Sequence, residues 1–210
     1  MAKDSNSGFS AALGEKLTGL FNSQFDSQRA YYSKEGVKKP TKDQIDNLVF
    51  NAANTNAVIS GGMSLIPGPF GMLSLVPEII LVIRNQINLV YDIGVACGKE
   101  KELNNEILMY VFLSSMGSTG IGLATVHGSK VLVKRASLQV MQKLIALLGG
   151  KITQRALKAL VARWLPFVGA AAMAYWTRST TVSIGEKAKE IFMKDIVMQD
   201  EVFDANFEIS

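Results

Sequence analysis

Glu78, Asn85 and Asp92 follow one another at seven-residue steps, and Arg84 and Asn88 lie four apart in the same stretch. On a helix this spacing sets Glu78, Asn85, Asn88 and Asp92 along one stripe, with Arg84 beside it. Such a polar seam can face a ligand or a companion helix, and it can equally serve as a solvated face or a buried network that holds helix register. A second grouping is basic. In KITQRALKALVARWL, Lys151, Arg155 and Lys158 share a face, Arg163 follows a turn and a half on, and Ile152, Leu157, Leu160, Val161 and Trp164 make the apolar side. A basic amphipathic helix with a tryptophan near its end suits an anionic lipid surface or a partner helix, because long basic side chains bury their stems and keep their heads in water. Near an anionic leaflet each basic residue contributes roughly 1 kcal/mol. An ordinary bundle helix presents the same basic face to solvent.

Catalytic groupings are thin. His127 is the only histidine, in TVHGSK, and reads as a surface or capping residue. The lone Cys97 makes no internal disulfide and no cysteine metal site. Gly-x-Ser-x-Gly does not occur, GSTGIG at Gly117–Gly122 departs from the order of a dinucleotide loop, and GGKI at Gly149–Ile152 lacks the hydroxyl a phosphate loop needs after its lysine. No catalytic residue, metal or cofactor is expected, and the protein reads as non-enzymatic.

The 210 residues suit one domain; 48% are hydrophobic and only 19% charged, which is apolar enough to expect a partner for some of the surface. MAKDSNSGFS opens polar and shows no secretory signal, and a reducing cytoplasm fits this and the single cysteine. Charge is divided along the chain. From Ile107 to Gly185 there are nine basic residues and no acidic one, so this segment carries +9 and leaves −5 for the rest of a chain whose net charge is +4. The tail from Asp195 holds Asp200, Glu201, Asp204 and Glu208 and no basic residue. An anionic partner and internal neutralisation both fit this asymmetry. Nucleic acid is not expected, since the basic residues are interleaved with apolar ones and no stacking platform or binding motif accompanies them.

Helical periodicity dominates, and strand alternation is almost absent. Phe9, Leu13, Leu17, Leu20, Phe21 and Phe25 predict an amphipathic helix over about residues 8–30, whose stripe needs a groove or a bilayer. Gly36 and Pro40 break it, and Thr41 with Gln44 has capping-box spacing ahead of a helix to about Ser60. Pro77 suits the first turn of a long helix that stops at Gly98. Further helices are expected over about 101–116, 130–148 and 151–165, with Gly149 and Gly150 separating the last two. A final apolar helix runs from Pro166 through Trp176, with another helical stretch over about 184–193. Phe203 and Phe207, four apart among acidic residues, fit a helical turn lying on the basic surface or docking on another protein.

The run from Asn47 to Pro77 carries no charge, but its four asparagines, three prolines and four glycines oppose a single membrane span. Pro67, Gly68, Pro69, Gly71 and Pro77 instead suit a hairpin turn between helices, able to dip into a membrane interface. Ile107–Val126 is the better span by hydropathy, and a buried core helix accounts for it as well.

IPGPFGMLSLVPEIILVIRNQINLVYDIG, followed by GKEKELNNEIL, resembles the signature of the EcsC protein family. GGKITQRALKALVARWLPFVGAAAMAYWTRSTTVSIGEKAKEIF is similar to that family's C-terminal pattern, so the resemblance covers most of residues 41–193. Cys97 stands where relatives often have an aromatic. The resemblance implies a helical, membrane-associated bacterial accessory protein without an established catalytic set.

The expectation is thus an all-α, single-domain multi-helix bundle with a Gly/Pro-rich helical hairpin turn. It comprises an N-terminal amphipathic helix and linker (1–40), an EcsC-like helical domain (41–193) and an acidic tail (194–210). It would sit peripherally on the cytoplasmic membrane face, bound to anionic lipid through Lys151, Arg155, Lys158, Arg163 and Trp164. The alternative is a soluble helical module that binds a protein partner, through the acidic tail for example, or an apolar ligand.

Overall fold

A computed structural model describes residues 2–63, 75–118, 122–160 and 166–203, with side chains described over 13–63, 75–118, 122–154 and 169–203. Among these residues there are six α-helices: α1 (Ala2–Tyr32), α2 (Ile45–Met63), α3 (Leu75–Ala96), α4 (Asn105–Ser115), α5 (Leu138–Leu160) and α6 (Pro166–Phe192). A small sheet of β1 (Ala124–His127), β2 (Lys130–Ala136) and β3 (Asp195–Phe203) completes a mainly α-helical bundle.

The central helix is α3, with α1, α2 and α6 packed around it, while α5 lies on α1 and α4 and the sheet on α4, α5 and α6. The stripe of α1 finds its groove in the protein itself: Leu13, Leu17, Phe21 and Phe25 are buried, with Phe21 edge-on to Phe112 of α4 and Phe25 edge-on to Tyr91 of α3. Gln44 Oε1 accepts from the Thr41 backbone N–H at 3.0 Å, and a 3₁₀ turn (Lys42–Gln44) leads into α2. Pro77 occupies the first turn of α3. At its other end Gly98, at φ +73°, closes a Schellman motif with Gly98 N–H to Val95 O and Lys99 N–H to Gly94 O.

Several elements depart from the sequence reading. Helix α4 starts later than expected, where Asn104 Oδ1 accepts from Ile107 N–H, and it stops at Ser115. Its 11 residues span roughly 16 Å, about half a hydrocarbon core, so Ile107–Ser115 is a short buried core helix, and Ala124–Val126 at the other end of that run belong to β1. Residues 130–136, expected as helix, are strand β2, because Val131 and Val133 point into the core while Lys130 points out. Between β1 and β2 the pair His127↔Lys130 flanks Gly128–Ser129, and the positive φ of Gly128 alone makes this a type II′ hairpin turn. Gly149 and Gly150 do not end a helix. They lie inside α5, which packs on α1 there: a Cβ on Gly149 would make ordinary contacts at 3.5 Å to Leu17 and 3.9 Å to the Gly14 Cα. Pro166 to Phe192 is one continuous helix rather than two. The described part of the acidic tail is not a helical turn, and Phe207 lies outside the described residues. Asp195–Phe203 forms a strand parallel to β2, a pairing that needs the long crossover supplied by α5 and α6. Pro67, Gly68, Pro69 and Gly71 lie outside the described residues.

Candidate functional site

The seam on α3 divides by depth. Glu78 is buried in the first turn, where it lines a cavity of about 20 Å³ with Ser60, Ile79, Gln86, Ile152, Trp176 and Thr177. Arg84 is exposed. Asn85, Asn88 and Asp92, half-buried, come together on one open groove of about 260 Å³ between α2 and α3. The sequence reading therefore grouped five residues of which the structure assembles three. It missed Gln24 and Tyr32 of α1 and Asn51 and Thr55 of α2, which complete this region. The i, i+4 spacing of Asn51 and Thr55 was the available signal.

Each groove residue of α3 is held from behind. Asn85 Nδ2 donates to Asn56 Oδ1 at 2.9 Å, Gln24 Nε2 donates to Asn88 Oδ1 at 2.6 Å, and the Tyr32 hydroxyl donates to Asp92 Oδ1 at 2.7 Å. Burial raises the pKa of Asp92, with the Tyr32 hydrogen bond acting in the opposite direction. Tyr32 is itself pushed well above the ordinary phenol value by burial and by the Asp92 carboxylate. Behind the groove Asn56 also donates to Thr181 Oγ1 (3.0 Å), which accepts from Gln86 (3.0 Å) and donates to Thr177 O (2.8 Å), and Thr177 donates to Ser60 Oγ (2.8 Å). These groups are fully buried and satisfy one another across α2, α3 and α6.

A second feature is the separation of charge along the bundle axis. Helices α2 and α6 run antiparallel. Gly61, near the end of α2, packs within 3.4 Å (as a built Cβ) of Ala174 near the start of α6, while Lys189 at the end of α6 pairs with Asp46 at the start of α2. The Lys39–Glu100, Lys99–Asp195 and Lys187–Glu190 pairs lie at or beside the end where α3 and α6 stop. At the opposite pole α2 ends and α3 and α6 begin. From Asn47 to Ile83 the one ionisable side chain is Glu78, which is buried, and Pro166–Thr177 has no charged residue. Towards this pole Val58 and Tyr175 are 74% and 76% exposed, and Arg178 donates from Nε to Asn54 Oδ1 beside them.

The basic segment is spread over α5 and the sheet. Lys151 is half-buried on α5; Arg155 and Lys158 follow on the same helix, and Arg163 and Trp164 lie outside the described residues. Lys134 pairs with Glu201 of β3 at 2.9 Å, so the acidic strand neutralises part of the basic charge. Lys130, Arg135, Lys143 and Lys151 make no ion pair with any described residue. By length and composition α3 is the one helix among the described residues able to cross a membrane, and 67% of its apolar window is buried within the bundle. Among the described residues no group of three His, Cys, Asp or Glu is placed to hold a metal ion. No family model, curated protein or solved structure matches this chain.

Proposed function

We propose that the protein is a non-enzymatic accessory protein of the kind its EcsC-like sequence implies, attached peripherally to the cytoplasmic face of a membrane. The observation that carries this reading is the axial separation of charge along α2, α3 and α6: ion pairs crowd one end of these three helices, and towards their other end they carry exposed Val58 and Tyr175 and no exposed carboxylate, while α1, parallel to α3, brings exposed Glu15 and Lys16 to that level. An amphipathic body of this kind lowers its apolar pole into the interface and keeps its charged pole in water. Arg178, anchored on Asn54 above that pole, suits the headgroup level, and Lys130, Arg135, Lys143 and Lys151 of β2 and α5, which pair with no described residue, add salt-sensitive attraction to anionic lipid.

The second reading, a soluble module enclosing an apolar ligand, draws on the cavity beside Ile79, Ile152 and Trp176. At about 20 Å³ that cavity has room for about one water, so an apolar ligand would have to open it.

Flotation of the purified protein with neutral and anionic vesicles at low and high salt tests the membrane reading. Binding to anionic vesicles that is released by salt is expected. A Val58→Ser/Tyr175→Ser double variant should bind roughly tenfold more weakly with unchanged thermal stability, since both side chains lie in water in the free protein. Protein that never floats overturns the reading, and a double variant that floats like the parent removes the pole from it.

A further inference from the structure

The groove between α2 and α3 has the construction of a binding site, and its chemistry is separate from that of the apolar pole. A binding group is effective when its orientation is set before the ligand arrives, through packing and hydrogen bonds from a supporting layer. Asn85, Asn88 and Asp92 meet this condition three times over, because Asn56 of α2 and Gln24 and Tyr32 of α1 hold one end of each. All three supporting side chains are at least nine-tenths buried. What remains for a ligand is Asn85 Oδ1, the Asn88 amino group and Asp92 Oδ2, none of which hydrogen-bonds a described residue. The groove thus presents an acceptor, a donor and an acceptor in order along α3. Across it, Asn51 and Thr55 of α2 are exposed and make no side-chain hydrogen bond within the described chain, so they add a carboxamide and a hydroxyl that are free to adapt.

Asparagine and threonine are poor choices for helix interiors on propensity alone, since each competes for or crowds the backbone. Five polar side chains around one groove therefore need a reason beyond helix formation. Leu48, Ala52 and Leu89 contribute the remaining, apolar lining. We infer that this groove binds a neutral, ring-shaped polyol, such as a monosaccharide or an inositol ring. Adjacent hydroxyls of such a ring both donate and accept, which matches the alternating acceptors and donor of α3, and its C–H face packs on the leucines and alanine. The one formal charge in the lining is the Asp92 carboxylate and no lysine or arginine is present, so a phosphate or carboxylate ligand is opposed. The volume of about 260 Å³ lies just below the roughly 300–1,000 Å³ of pockets that enclose drug-sized molecules, which fits a single ring. The site does not depend on membrane attachment. Thr55 lies one turn of α2 before Val58, at the headgroup level, and Asn51, Asn88 and Asp92 lead away from it, Asn88 being roughly 20 Å up α3 from Leu75, so the groove opens above the inserted pole.

The test is a titration of the ¹⁵N-labelled full-length protein with glucose, galactose and myo-inositol, following the side-chain amide signals of Asn51, Asn85 and Asn88. At least one polyol is expected to move these signals with saturation. Asn51→Ala and Thr55→Val, which remove no side-chain hydrogen bond to a described residue, should each weaken that binding about threefold to tenfold while leaving the rest of the spectrum intact. The same ring carried on a glycolipid in neutral vesicles separates a headgroup from a soluble ligand; saturable binding in either form supports the site. Three results would overturn it: no groove signal moving with any of the polyols, equal shifts in parent and variants, or propylammonium or phosphate moving the groove signals where the polyols do not.

Discussion

The Tyr32 hydroxyl donates to Asp92 Oδ1 at 2.7 Å, so the last turn of α1 is tied to the last turns of α3 by a buried phenol and a half-buried carboxylate. Tyr32 also stacks on Tyr91, whose pKa is raised by burial and lowered in part by Arg29, so aromatic packing and the hydrogen bond act at one junction.

The sign of the pH dependence at this junction follows from Asp92. Its folded pKa is raised, so the folded state holds this proton more tightly than the unfolded chain does. The stabilising contribution is complete below the ordinary carboxyl value and is lost as pH rises through the raised folded value. Asp92→Asn keeps a side-chain oxygen for Tyr32 and removes the buried charge, so it should stabilise the protein at neutral pH and flatten this part of the pH profile. Tyr32→Phe removes the bond that lowers the Asp92 pKa. It should move the titration of Asp92, read by carboxyl NMR, to still higher pH and destabilise by about 1–2 kcal/mol at neutral pH.

Thr181 is fully buried and accepts from both Asn56 Nδ2 and Gln86 Nε2. Thr181→Val preserves shape and strands both donors, so chemical denaturation should show a loss of about 2–4 kcal/mol with an unchanged m-value. A loss below about 0.5 kcal/mol would mean that the two amides find other partners.

Two helical glycines should respond in opposite directions to alanine. At Gly185 a Cβ would come within 2.6 Å of Val49 Cγ2 and 3.3 Å of its Cβ, and a β-branched neighbour yields little. Gly185→Ala should lower stability by about 1–2 kcal/mol, because overpacking outweighs the better helix propensity. Gly150 has nothing within 4 Å of a built Cβ, so Gly150→Ala should raise stability by about 0.5–1 kcal/mol. Thermal unfolding of the two variants checks both signs.

Local rules were legible wherever one segment decides its own conformation. The apolar spacing of Leu13, Leu17, Phe21 and Phe25, the place of Pro77 in a first helical turn and the stop at Gly98 all follow from periodicity, a missing N–H or a positive φ, and each is found as expected. The helical class of the fold follows from the same periodicity. What the sequence left open depends on which segments meet. Gly149 and Gly150 look like a break until α5 is seen packed on α1 and α4, because burial of a helix's apolar face against distant segments outweighs the weak helix propensity of two glycines. KVLVKRA is short, and its alternation is compelling only once β1 and β3 flank it, since a strand draws its hydrogen bonds from other segments. The acidic tail pairs with β2 for the same reason. The seam from Glu78 to Asp92 shows both halves of the matter. Helix geometry alone set its residues on one stripe, but only the packing of α1, α2 and α6 on α3 buried Glu78, exposed Arg84 and braced Asn85, Asn88 and Asp92 from behind. Burial and hydrogen-bond partners come from residues distant in the chain, so tertiary structure alone could separate a supporting group from one available to a ligand.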